Sequence, residues 1–181
     1  ATASPSPEAT ESEAAESSGD PGSTVGALPS FDINGDPELA GRFPSTIGGE
    51  AIQVISFRGD TLMAGGEIDP TFQDFLDSTD AELDDVSVAF GGSPDGTLSM
   101  AAFRVLGVAE DRLEEEFLSA SEEAGDLENA QRSNVGGKDV WVAADSTGTT
   151  GASVYLYVKD DTVYFLTGTE EQATEILSAL P

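Results

Sequence analysis

Apolar residues alternate with other residues through the second half of the chain: Val140 and Val142, then Val154, Leu156 and Val158, then Val163 and Phe165. Period-2 spacing of this kind predicts strands that each bury one face. "KDDT" at 159–162 reads as a tight hairpin between the last two. Earlier in the chain, Val86–Phe90 and Leu98–Val105 are predicted strands joined through "GGSPDGT". Elsewhere the period becomes helical. "DPTFQDFLDS" offers Asp69 as N-cap and Pro70 at the first helical position, with Phe72, Phe75 and Leu76 on one side. Residues 110–121 aim Leu113, Phe117 and Ala120 at a core. "TEEQATEILSAL" starts with a Thr169–Gln172 capping box and spaces Ala173, Ile176, Leu177 and Leu180 along one stripe. A short helix is expected after Asp36-Pro37.

One phrase occurs twice. "STIGGEAIQV" begins at Ser45 and "SNVGGKDVWV" at Ser133. "EFLSA" at 116–120 is echoed by "EILSA" at 175–179, and "VSVAF" from Val86 by "VYLYV" from Val154. Each copy reads as glycine-pair turn, strand, hairpin and helix, with copy one at 36–121 and copy two at 126–181. A glycine pair between apolar strands is a two-residue hairpin signal, because glycine reaches positive φ at both central positions. A phosphate loop is excluded by spacing, since Lys138 is followed by Asp139 and no G-x-x-x-x-G-K-[ST] run is present. The expected fold is α+β, a single domain over 31–181. It has a mainly antiparallel sheet with helices on one face, and it is internally duplicated.

Composition narrows the function. Residues 1–30 are rich in Ser, Pro and Glu, with Val25 and Leu28 their only large aliphatics. So little apolar surface cannot offset the entropy of ordering, and the segment is expected to be a disordered linker. The chain carries 35 acidic and 7 basic residues, a net charge of −28. That field repels phosphate backbones, so nucleic acid is not an expected partner. Cysteine and histidine are both absent, which removes Ser-His-Asp and Cys-His catalysis and the usual zinc sites. No apolar run is long enough to span a membrane. No cofactor is expected.

Three groups of residues are chemical candidates. Asp32, Asn34 and Asp36 have the spacing of the first ligands of a calcium loop. Pro37 and Phe43, however, stand where that loop needs glycine and glutamate. Acid pairs such as Asp84-Asp85 and Asp160-Asp161 could serve a carboxylate-dependent hydrolase, although charge runs usually mark solvated surface. The third group is aromatic: all three tyrosines and the only tryptophan fall between 141 and 164. If Val140, Val142, Val154, Leu156, Val158, Val163 and Phe165 share one face, Trp141, Tyr155, Tyr157 and Tyr164 share the other. A hairpin centred on Asp160-Asp161 pairs Tyr157 with Tyr164. An open face of that kind would receive a ligand or a partner protein. A covered one would only stabilise the sheet.

The order of "DPELAGRFPSTIGG", "VSVAFGG", "FRVLG", "VGGKDV", "VYLYVKDDTVYFLTG" and "LSALP" after a Ser/Pro/Thr-rich start resembles an uncharacterised family of bacterial secreted or lipoprotein-type proteins, actinobacterial and Chloroflexota-like. The resemblance covers most of residues 36–181. It implies an extracellular or cell-surface location and a lipid anchor upstream of Ala1, and it brings no established activity. The expected function is a non-enzymatic, extracellular or surface-tethered binding module using the aromatic sheet face, with an unknown extracellular ligand or protein as partner. The alternatives are a carrier of an apolar ligand between sheet and helices and, third, a hydrolase.

Overall fold

The structure, a computed structural model, describes residues 35–62, 70–125, 127–144 and 151–181. Strands β1 (Thr46–Ile47) and β2 (Glu50–Ala51) form a small separate hairpin. The others are β3 (Gln53–Arg58), β4 (Val86–Gly92), β5 (Ser99–Val105), β6 (Gln131–Val135), β7 (Lys138–Ala144), β8 (Ser153–Lys159) and β9 (Thr162–Gly168). They build one seven-stranded sheet in the order β3-β4-β5-β9-β8-β7-β6, with every neighbouring pair antiparallel. Helices α1 (Pro37–Ala40), α2 (Gly59–Leu62), α3 (Pro70–Thr79), α4 (Glu110–Ala124) and α5 (Glu170–Ala179) complete an α+β fold. The proposed linker 1–30, Asp32, Asn34 and the proposed N-cap Asp69 lie outside the described residues.

Both glycine pairs are hairpin turns. Gly48 and Gly49 have φ of +59° and +83°, and Gly136 and Gly137 have +59° and +81°. The closing pairs are Ile47 with Glu50 and Val135 with Lys138. The Thr169–Gln172 capping box at the start of α5 also forms as expected.

The expectation of helices on one face needs correction, because helices cover both. Ala173, Ile176 and Leu177 of α5, with Leu39 of α1 and Phe43, pack on one side against Tyr155, Tyr157, Tyr164 and Leu166. Phe75 and Leu76 of α3 and Leu113 of α4 pack on the other against Val88, Val154, Leu156 and Val163. The physical reason is visible in β8, whose residues Val154–Val158 are buried at every position. A strand apolar on both sides must be covered on both sides.

Outward from the β5–β9 junction, the order β5-β4-β3 mirrors β9-β8-β7. The helices break that mirror. A twofold axis normal to the sheet would return matched helices to one face, yet α4 and α5, which carry the echoed "EFLSA" and "EILSA", pack on opposite faces. Segments 36–121 and 126–181 are therefore not established as copies of one unit.

Candidate functional site

The aromatic residues divide between the faces. Tyr157 is the register partner of Tyr164, and their rings stack with centroids 5.8 Å apart. Phe43, just beyond α1, meets Tyr164 edge-on at 6.0 Å. The Tyr157 hydroxyl donates to the main-chain oxygen of Pro181 at 2.9 Å, and the Lys138 ammonium sits 5.5 Å from the Tyr157 ring centre. All three tyrosines are buried, Tyr164 completely. Burial raises the pKa of each, because the phenolate would lose its hydration.

Trp141 is not with them. It pairs with Leu156, while Val142 pairs with Tyr155, so Trp141 joins the α3–α4 face and Val140 and Val142 join the tyrosines. Alternation fixes the phase within one strand. The phase between β7 and β8 depends on their connection, which is longer than a two-residue turn. Half-buried Trp141 donates its indole N–H to Glu114 of α4 at 3.0 Å, beneath the Arg132 guanidinium 4.8 Å away. Arg132 also pairs with Glu114. Hence Trp141, Tyr155, Tyr157 and Tyr164 do not form one open face: the tyrosines are core, and Trp141 staples α4 to the sheet.

Asp36, the one candidate calcium ligand within the described residues, has another task. It caps α1 by accepting from the Leu39 N–H at 3.0 Å, and it pairs with Arg104 of β5. Burial works against its charge. The Leu39 N–H, Ser87, Arg104 and Arg42 outweigh that and lower its pKa. Arg42, just after α1, ties the same segment to β9 by donating to the Thr162 hydroxyl at 2.7 Å. Among the described residues no cluster of three or more acids is arranged to hold a metal ion.

A different feature has the shape of a site. A cleft of about 410 Å³ opens between the β1–β2 hairpin, the β4–β5 turn and the first turns of α5. Its floor includes Ile47, Ile52 and Leu98, and its walls carry Glu50, Asp95, Glu171 and Glu175 with Thr97 and Gln172. Among the described residues, no lysine or arginine lines it. The walls are braced by hydrogen bonds from three elements. The Gly48 N–H donates to both carboxylate oxygens of Glu175 at 3.0 Å. The Gln172 amide donates to the Thr97 hydroxyl at 3.3 Å, while its carbonyl accepts from the Thr169 N–H. Asp95 accepts from the Ser93 hydroxyl at 2.6 Å and from the Thr97 N–H and hydroxyl. Those donors, Ser93 foremost, lower the Asp95 pKa and keep it ionised. The volume falls within the range of small-ligand sites, and braced walls spare a ligand the cost of ordering them.

Sequence reasoning missed this cleft because its walls come from segments far apart in the chain. Two partial signals were present: the glycine pair that makes the hairpin and the capping box that fixes the start of α5. Comparison of the chain with protein-family models, with curated proteins and with solved structures returns no match.

Proposed function

We propose that the protein is a non-enzymatic binding module, working outside the cell, whose cleft beside α5 holds an organic cation: an ammonium or guanidinium group on a short apolar stem. The observation that carries this reading is the cleft's lining, four carboxylates over an apolar floor with no basic residue among them. Such a rim attracts positive charge and repels anions, and half-buried Ile52 gives the stem an apolar surface. Binding fits the lining better than catalysis does. Asp95, which its hydrogen-bond donors hold ionised, suits attraction of a cation rather than donation of a proton. An apolar carrier is less well supported, because Tyr155, Tyr157, Phe43 and Leu166 fill the space between the sheet and the α1–α5 layer. The location outside the cell rests on the composition of residues 1–30 and on the resemblance to secreted proteins.

The test is an amide-resonance titration with hexylamine, and with hexanoate as a chain-matched anion. Hexylammonium should shift Gly48, Thr97 and the Gln172 side chain, and hexanoate should not. The double substitution Glu50→Gln, Glu171→Gln should remove most of the shift without altering the rest of the spectrum. Shifts scattered over all the acidic surfaces, or undiminished in the double variant, would overturn the proposal.

A further inference from the structure

The four carboxylates of the cleft are not equivalent. Asp95 is occupied by Ser93 and Thr97, and both oxygens of Glu175 accept the Gly48 N–H at 3.0 Å. Glu50 and Glu171 have no hydrogen-bond or ion-pair partner among the described residues. Glu171 and Glu175 stand one turn apart on the same stripe of α5. Glu50 follows Gly48 by two residues and is the register partner of buried Ile47. The β1–β2 hairpin is a sheet of its own, separate from the seven-stranded one. A Cβ on Gly48 would meet nothing within 4 Å, whereas one on Gly136 would strike the α5 backbone at 2.7 Å. Close packing fixes the second hairpin against α5. At the tip of the first, the Glu175 side chain makes the connection.

We infer that Glu175 is a positioning residue: it holds the hairpin tip to α5 so that Glu50 and Glu171 grip one N–H-bearing cation between them. The inference rests on the cleft being a cation site, and it narrows the class of cation. Two carboxylates left without donors select a head group with several N–H bonds to give, a primary ammonium or a guanidinium. A quaternary ammonium has none. Its usual receptor is a cage of aromatic rings, and among the described residues no aromatic side chain lines the cleft. A diffuse acidic field attracts both kinds of head equally, since each carries one positive charge. Discrimination between them therefore reports how well Glu50 is set against Glu171.

Titration of the full chain with hexylamine and with hexyltrimethylammonium, followed at the Thr97 amide and the Gln172 side chain, tests this. Amide exchange of the ligand-free protein is measured alongside. The wild type should bind hexylammonium about fivefold more tightly than the quaternary cation, which is what one net hydrogen bond supplies. Glu175→Gln removes a charge but keeps a carbonyl oxygen for the Gly48 N–H, so both affinities should fall together and their ratio should persist. Glu175→Ala removes the acceptor, and the ratio should fall towards one. In that variant the Gly48 amide should exchange faster. The Ile52 amide, bonded at 3.0 Å to the Ser45 carbonyl within the hairpin, should keep its rate. Equal affinities in the wild type would overturn the class of ligand. A ratio lost equally in the Gln and Ala variants, or kept in both, would overturn the positioning role. If neither cation binds the wild type, the cation-binding reading itself fails. Gly48 exchange then still decides the tether, because an unchanged rate in Glu175→Ala would overturn it.

Discussion

Replacing Gly136 with alanine should destabilise the protein about three times as much as replacing Gly48, although the two glycines occupy the same position in the same kind of turn. Both have φ of +59°, so an alanine side chain meets the same left-handed penalty, on the order of 1 kcal/mol. Their surroundings differ. A Cβ on Gly48 would enter open space, with nothing within 4 Å. One on Gly136 would lie 2.7 Å from the Thr174 carbonyl oxygen and 3.0 Å from the Ser178 N–H nitrogen. Those atoms belong to the α5 backbone and cannot rotate away. The hairpin must therefore lift, parting the Ser178 hydroxyl from the Gly136 carbonyl that it reaches at 3.3 Å. Overpacking of that kind adds about 2 kcal/mol. At about 3 °C per kcal/mol for a domain of this size, the melting midpoint should fall by about 3 °C for Gly48→Ala and about 9 °C for Gly136→Ala. Thermal unfolding followed by circular dichroism measures both. Equal losses would refute the account, because they would mean that the second hairpin does not dock on α5.

Asp36→Asn leaves Arg104 largely buried with, among the described residues, only the 3.6 Å contact to exposed Glu38 as a charge partner, and should cost about 3 kcal/mol at neutral pH in urea unfolding. The Asp36 pKa is lowered in the fold, so its contribution is present above the ordinary carboxylate range and fades as pH falls through the lowered value. The stability difference between wild type and Asp36→Asn should accordingly shrink on acidification, and a constant difference would contradict the ion pair. All three tyrosines have raised pKa values, so an ultraviolet titration should show no phenolate near the usual pH of about 10 while the fold persists. Their ionisation favours the unfolded chain as pH rises above that value, and the absorbance change should coincide with alkaline unfolding.

Local signals in the sequence were legible wherever chemistry was local. The glycine pairs, the "KDDT" hairpin, the Thr169 capping box and the Asp36-Pro37 helix start are each fixed by a few neighbouring residues. The Tyr157–Tyr164 pair followed from the short turn between β8 and β9, which leaves one register. The phase of β7 did not follow, because β8 is apolar on both sides and accepts either phase of its neighbour equally well. Alternation alone therefore puts Trp141 on the tyrosine face, whereas the structure puts it on the α3–α4 face. The continuous burial of Val154–Val158 had a readable precursor in "VYLYV", an unbroken apolar run that argues for helices on both sides of the sheet. The cleft was illegible for a third reason. Glu50, Asp95 and Glu171 meet only through tertiary packing, and in a chain with 35 acids no sequence feature singles them out.

The place where a cation binds decides the proposed function, and a crystal structure grown with hexylamine would locate it. The expected result is density in the cleft beside α5, with the ammonium at hydrogen-bonding distance from the carboxylates of Glu50 and Glu171 and the alkyl chain lying on Ile52. An ammonium bound instead in the acidic groove between α3 and α4, near Asp74 and Glu116, would contradict the assignment of the site. A cleft left empty at saturating hexylamine would contradict the proposed function itself.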